Sequence, residues 1–319
     1  MKRRTFLKTF PAAAAALATT AGIVPIAVAA DGHGAQIVAA QKFKVGEMVV
    51  TAISDGYFNL PLEMLNGVDA ETIAALLTKG YQDPTNFRAA VNAYLVQSNG
   101  ENYLIDAGTG AIFGPTLGDV ASVLSVLGIQ PADISKLIVT HLHGDHVGGA
   151  VKDGAALYPN AEMVVTQTEV DFWTSKDIRD QAPEQFRSFF DLASGVVGAY
   201  QDRLRLVTGE ADLAPGLTGR PLPGHTLGHQ GVMLESGGDS LLIWGDVVHV
   251  APVQLARPEV TIGFDTDQEL AAKTRADAFA SVVQSGQKIA GMHMPFPGVG
   301  YVEKASEGFR FVPAPWDYM

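Results

Sequence analysis

Apolar positions along this chain fall into two rhythms. Short runs rich in Val, Ile and Leu read as strands at residues 46–53 ("GEMVVTAI"), 92–98 ("NAYLVQS"), 102–108 ("NYLIDAG") and 136–141 ("KLIVTH"). Similar runs follow at 162–167 ("EMVVTQ"), 203–208 ("RLRLVT"), 231–236 ("GVMLES") and 241–246 ("LLIWGD"), with a late one at 288–293 ("KIAGMH"). Longer stretches with apolar residues three and four apart read as helices at 69–80, 116–128, 168–175, 183–200 and 267–283. Asp267 stands where the last of these needs an N-cap. Strands in short groups separated by helices predict an α/β fold, with sheets packed between helical layers. No repeat, low-complexity tract or linker follows about residue 40, so a single domain over 45–319 is expected.

The polar clusters fall where predicted strands end. Asp106 follows "YLI", Asp246 follows "LLIWG" and His293 follows "IAGM". Several strand ends that deliver polar groups to one edge are how a site is built on a rigid scaffold. The densest cluster is "LIVTHLHGDHVGG", residues 137–149, where His141, His143, Asp145 and His146 occupy six positions. If the strand geometry continues, His141 and His143 point the same way. Gly144 lets the chain turn, which brings Asp145 and His146 around from the other side. Two adjacent ligand pockets result. A lone histidine is most often a structural one, but four ionisable groups crowded after an apolar strand leave lone pairs unpaired unless a cation sits among them. The remaining histidines are His33, His225, His229, His249 and His293, and spacing alone does not select among them.

The first thirty residues change the picture of the mature chain. Lys2, Arg3, Arg4 and Lys8 precede an Ala-rich apolar stretch that ends in small residues at Ala27, Ala29 and Ala30. This is the layout of an export signal, and Arg3-Arg4 followed by Phe6-Leu7-Lys8 resembles the twin-arginine type. Residues 1–30 are therefore expected to be removed, placing the protein in the periplasm or outside the cell. The stretch is weakly hydrophobic and interrupted by Pro25, which argues against a retained membrane anchor. Residues 31–44 are expected to form a flexible mature N-terminus. The leader carries four cationic residues and no acidic ones, so its loss moves the net charge from −12 to −16. An acidic surface without a basic stripe excludes nucleic acid as a partner. The chain has no cysteine, so any metal must be held through nitrogen and oxygen.

At this point the chain resembles a known family. "HLHGDH" fits the H-x-H-x-D-H motif of the metallo-β-lactamase superfamily, and "GHTLGH", "GD" and "GMH" follow in that family's order, from about residue 45 to the C-terminus. More closely, "DAGTGAIFGPTLGDV", "DFWTS", "VQLARPEVT" and "GFRFVPAP" resemble the methyl parathion hydrolase branch, near the N-acyl homoserine lactonases. The resemblance implies an αβ/βα four-layer sandwich with two divalent metal ions. Carried over, His141, His143 and His225 would hold the first, Asp145, His146 and His293 the second, and Asp246 would bridge them. Imidazole and carboxylate ligands without thiolate suit Zn²⁺, with cobalt, manganese or iron as substitutes.

The resemblance further implies a hydrolase in which a hydroxide held between two cations attacks a lactone or aryl-ester carbonyl, or the phosphorus of a phosphotriester. Asp145 is the candidate for handling the proton. His249, three residues after Asp246, stands near where related lactonases place a tyrosine that holds the substrate's oxygen. His229 and Asp106 read as supports for the ligands. Phe113, Trp173, Phe189 and Phe190 match aromatic residues around the site in the parathion hydrolase branch and imply a small, neutral, apolar substrate. A homodimer is also implied. Two alternatives stand beside this reading: a glyoxalase II-type thioesterase, and a non-catalytic metal-binding scaffold of the same fold.

Overall fold

The computed structural model describes residues 39–315. The expected leader, and the first part of the expected flexible segment with His33, lie outside the described residues. Two seven-stranded sheets dominate, and each runs in strict chain order. The first comprises β1 (Ala40–Val45), β2 (Met48–Asn59), β3 (Arg88–Ser98), β4 (Glu101–Ile105), β5 (Lys136–Ile138), β6 (Glu162–Thr166) and β7 (Leu204–Val207). The second comprises β8 (Asp212–Ala214), β9 (Leu217–Pro221), β10 (Gln230–Ser236), β11 (Asp239–Ile243), β12 (Ile289–Ala290), β13 (Val299–Lys304) and β14 (Phe309–Pro313). In the first sheet β1 to β4 pair antiparallel through short connections, while β4 to β7 pair parallel. The longer connections of the parallel pairs carry the helices that a parallel crossover needs.

The pattern of β3 shows why the molecule has layers. Its residues 91–96 are all buried, but they serve two cores. Ala93 and Leu95 face a core shared with α2 (Val120–Val126), α4 (Gln167–Trp173) and α6 (Glu184–Ala199). Tyr94 and Val96 face the other way, into a core shared with Val232, Leu234, Leu241 and Ile243 of the second sheet. A third core joins the second sheet to α8 (Gln268–Ser285) through Trp244, Phe279 and Val282. Helix, sheet, sheet, helix: the four-layer αβ/βα sandwich is present. Asp267 caps α8, its side chain accepting from the amide of Leu270. A fourth cluster packs α1 (Ala70–Lys79) against the segment 250–262, which includes the short α7 (Ala251–Gln254), through Leu77, Val250 and Val253.

The structure differs from the sequence reading at the edges. The ordered chain begins before residue 45. Phe43 and Val45 alternate with exposed Lys42 and Lys44 along β1, and burying them against the second sheet fixes a stretch that was expected to be loose. Strands β8, β9, β13 and β14 and the helix α5 (Lys176–Gln181) carry too few contiguous apolar residues to stand out in sequence. No helix among the described residues is long and apolar enough to cross a membrane.

One loop needs comment because it walls the site. Residues 108–119 hang on the buried carboxylate of Asp55, which accepts from the Thr109 amide (2.9 Å) and hydroxyl (2.8 Å) and from the amides of Gly118 and Val120 (both 3.1 Å). Burial pushes the Asp55 carboxyl above its ordinary range, against the pull of these donors. The loop thereby presents Ile112 and Phe113, which stay half-exposed at the mouth of a cavity.

Candidate metal centre

Each polar cluster marked in the sequence stands at a strand end, and the ends meet along one seam between the sheets. His141, His143, Asp145 and His146 follow β5, His225 lies in the connection between β9 and β10, Asp246 follows β11 and His293 follows β12. All seven residues expected as metal ligands converge, as two groups whose donor atoms lie within 4.8 Å of one another: His141, His143 and His225, and Asp145, His146, Asp246 and His293. His143 Nδ1 is 3.0 Å from His141 Nε2 and 3.0 Å from His225 Nε2. Asp246 Oδ2 sits between the groups, 3.3 Å from His225 Nε2, 3.6 Å from His141 Nε2, 3.2 Å from His146 Nε2 and 3.1 Å from His293 Nε2.

Gly144 does not turn the chain in the way expected. It opens the short helix α3 (Gly144–Val147) without a left-handed turn, and a Cβ there would meet the Phe113 ring at 3.0 Å and Leu192 at 2.9 Å. Gly224, one residue before His225, does have a φ of +130°, and a Cβ would strike Ala271 N at 2.3 Å.

The supports fix which nitrogen of each ring faces inward. His146 Nδ1 donates to Asp106 Oδ2 (2.7 Å), His225 Nδ1 to Asp265 Oδ1 (2.9 Å) and His293 Nδ1 to the Ala90 carbonyl (2.7 Å). The Thr140 hydroxyl donates to Asp106 (2.7 Å), which leaves its oxygen to accept from His141 Nδ1 (3.0 Å). In each neutral ring the remaining Nε2 then carries a lone pair aimed at the centre. His146 Nε2 and Asp246 Oδ1 are buried with no hydrogen-bond partner. Lone pairs facing carboxylate oxygens at 3.1–3.5 Å repel one another unless protons or cations stand between them. The donor set therefore fits two divalent cations, one per group, with Asp246 reaching both.

The electrostatics agree. Burial opposes the charge on Asp246, but His146, His293 and His141 outweigh it and hold the carboxyl well below its usual range. Against the same opposition from burial, Asp246 and Asp265 push His225 up to about 9, and Asp246 and Asp145 push His293 up to about 10. These rings hold on to protons in the place where a cation would sit.

Asp106 takes a left-handed φ of +56°, strained backbone for a non-glycine residue, and its two oxygens serve Thr140 and His146 together. His229 ties two loops: its Nδ1 donates to the Leu222 carbonyl (2.7 Å) and its Nε2 accepts from the Asp246 amide (3.0 Å). Burial drives it down to about 3, so it stays neutral. His249 is buried too, stacked 5.0 Å from His293, with Nε2 3.2 Å from Asp246 Oδ2 and no hydrogen bond at Nδ1. Gln254 holds its backbone by accepting from the amides of His249 and Val250.

Over the ligands lies a cavity of about 380 Å³, with Phe58, Ile112, Phe113, Phe186, Phe189 and Phe264 among its walls. Two of the four expected pocket aromatics, Phe113 and Phe189, line it. Trp173 and Phe190 do not: they border a side chamber of about 30 Å³ next to His143. Phe190 packs 4.8 Å from Trp173 and 5.5 Å from Phe172, on the face of α6 that turns toward the first core. Sequence reasoning missed Asp265, Glu169 and the buried Arg275, which lies 3.8 Å from Asp265 and donates to the carbonyls of Val247, Pro258 and Val260. Only Glu169 left a trace, as the Thr-x-x-Glu pattern that opens α4.

Comparison with known proteins gives the same picture. The chain aligns with an N-acyl homoserine lactonase from a Bacillus species at 26% identity over 117 residues, 37% of this chain and 39% of that protein. It aligns with a hydroxyacylglutathione hydrolase from Vibrio parahaemolyticus at 31% identity over 134 residues, 42% of this chain and 41% of the relative. The chain thus spans about two-fifths of the length of these curated relatives. Among solved structures, the hydrolase AbOPH of the beta lactamase superfamily superposes with a TM-score of 0.84 and 30% identity, covering 89% of this chain and 100% of that one. The dizinc quorum-quenching lactonase AidC, solved with N-hexanoyl-homoserine product, gives 0.84 at 23% identity over the same shares and speaks for the fold. The metallo-beta-lactamase superfamily model matches residues 87–283, a span that takes in six of the seven ligands. With the fold, the ligand order and this match in agreement, the chain belongs to the metallo-beta-lactamase superfamily.

Proposed function

We propose that this protein is a dinuclear metal-dependent hydrolase of small, neutral, apolar lactones and aryl esters, with phosphotriesters as further substrates. One observation carries the reading: seven candidate ligands converge, and five of them, His143, Asp145, His225, Asp246 and His293, form the floor of a cavity whose other walls are largely aromatic. Zn²⁺ is the ion that best suits four-coordinate nitrogen and oxygen ligands. A pair of such ions supplies an ionised water at neutral pH and an electrophile for the substrate's oxygen. His141, His143 and His225 would hold one, Asp145, His146 and His293 the other, and Asp246 both.

The chain's own groups then have these roles. Phe58, Phe113, Phe186 and Phe189 exclude water and take up the apolar part of the ester. Asp145 is the more open of the two ligating carboxylates, with 19% of its side chain exposed against 2% for Asp246. Being open to the cavity, it is the carboxylate placed to accept a proton there. His249 lines the same cavity with neither ring nitrogen hydrogen-bonded, and it also stands close enough to His225 and Asp246 to share a cation with them; on this reading it donates a hydrogen bond to the substrate's oxygen. The cavity lining includes no Lys or Arg among the described residues, which disfavours anionic substrates such as phosphomonoesters and glutathione thioesters. Export of the folded, loaded protein through its N-terminal signal belongs to the same proposal.

A panel of an N-acyl homoserine lactone, an aryl acetate, paraoxon and S-lactoylglutathione tests it. Turnover of the lactone or aryl ester above the other two is expected. Preference for the thioester would replace the reading with a glyoxalase II-type one, and no turnover of any substrate by protein holding two ions would return it to a binding scaffold. His249→Ala should lower kcat on the preferred substrate about 100-fold, the usual cost of one donor aimed at a reacting oxygen. Its metal content should be unchanged. Loss of an ion instead would make His249 a ligand.

A further inference from the structure

Glu169 is fully buried, directs its hydrogen bonds to backbone amides rather than to a ligand side chain, and has no part in the chemistry proposed above. It stands in the first turn of α4, capped by Thr166, and its two carboxylate oxygens point to different loops. Oε2 accepts from the amide of Leu142, the residue between His141 and His143 (3.0 Å). Oε1 accepts from the amide of Gly228, three residues after His225 (2.8 Å). Thr166 completes the hold by donating its hydroxyl to the Gly228 carbonyl (2.8 Å). Gly228 has no alternative here, since a Cβ would lie 2.4 Å from Thr166 Oγ1 and 2.6 Å from Glu169 N. One carboxylate thus spans the seam between the sheets, with the paired histidines on one side and His225 on the other.

We propose that Glu169 is a positioning residue for the His141–His143–His225 group alone. It sets the separation of the two loops and so the convergence of three ring nitrogens on one cation. The Asp145–His146–Asp246–His293 group has a support of its own in the Ala90 carbonyl behind His293, and Asp106 serves both groups, holding His146 directly and His141 through Thr140. A brace on one cage should therefore act on one of two metal equivalents. The inference rests on two divalent ions occupying the site and is independent of what the protein hydrolyses.

The test is competition for zinc between the full-length protein and a chromogenic chelator, which resolves the two dissociation steps. Glu169→Ala should weaken one equivalent about 10- to 100-fold, the usual effect of losing a partner behind a metal ligand, with the other unchanged within about threefold. Asp106→Asn, which stands behind His146 directly and behind His141 through Thr140, should weaken both equivalents, so that the one-sided loss separates Glu169 from a support shared by the two groups. Glu169→Gln keeps the volume and one acceptor, so it should fold and show the same one-sided effect at smaller size. Loss of both equivalents together in Glu169→Gln, or of neither, would overturn the proposal and leave Glu169 a structural residue read out only in the melting temperature. A protein inactive on every substrate of the panel would still give this result, so the two readings fail separately.

Discussion

Replacing Asp246 with alanine should lower kcat/KM at least about 1000-fold, a loss of about 4 kcal/mol of transition-state stabilisation, and the purified variant should carry one ion or fewer per chain. The reason lies in the position of a single oxygen. Asp246 Oδ2 is within 3.6 Å of ring nitrogens from His141, His146, His225, His249 and His293, drawn from both ligand groups. Two divalent cations a few ångströms apart repel strongly in a site closed to water, and a shared carboxylate is what offsets that repulsion. Without it, the second cation finds only Asp145, His146 and His293, close to an uncompensated neighbour. Asp246→Asn keeps the shape but removes the charge, and should fall in the same direction. Elemental analysis alongside turnover checks this; a variant with two ions and activity within tenfold of the parent would defeat it.

Stripping both ions should abolish turnover and give the protein a new pH dependence. In the metal-free chain His225 and His293 keep their protons to about 9 and about 10, against an ordinary value of 6.5. A raised folded-state pKa means that the folded form binds the extra proton, so the gain is complete below pH 6.5 and is lost as pH rises through 9 to 10. His229 and His249 have the opposite sign: they fall to about 3 and about 4, and their neutral burial costs stability as pH drops below 6.5. Metal-free protein should therefore be most stable near pH 6.5. At pH 10 it should be weaker by several kcal/mol, on the order of 10 °C or more in melting temperature for a domain of this size. In the loaded protein cations replace those protons, and the alkaline fall should vanish. Melting curves of both forms from pH 6 to pH 10 give the comparison; parallel curves would contradict it.

The ligands were legible because their chemistry is dense and ordered. Four ionisable groups in "HLHGDH" suit a cation whatever the fold, and the family's order picks out His225, Asp246 and His293 from the rest as candidate ligands. The layered α/β architecture was legible for a related reason: strands buried on both faces, such as β3, read as continuous apolar runs. What escaped was set by tertiary contact. Asp265 reaches His225 from 40 residues away, and nothing local distinguishes it from a surface aspartate. Arg275 sits in the middle of α8 like any solvated helix residue, yet it is buried against three carbonyls. The aromatics divided for a geometric reason. Phe189 and Phe190 are neighbours in sequence but one helical step, about 100°, apart around α6, so one meets the cavity and the other the core.

Because each sheet is laid down in chain order and the cages draw on both, synthesis dictates when a cation can be trapped. The first cage lacks its third nitrogen until His225 has emerged from the ribosome, and the second lacks its last until His293, 26 residues from the C-terminus. A chain cut short before His293 would lack a ligand of the second group, and on the proposed reading an ion pair would clip together two sheets that were made at different times.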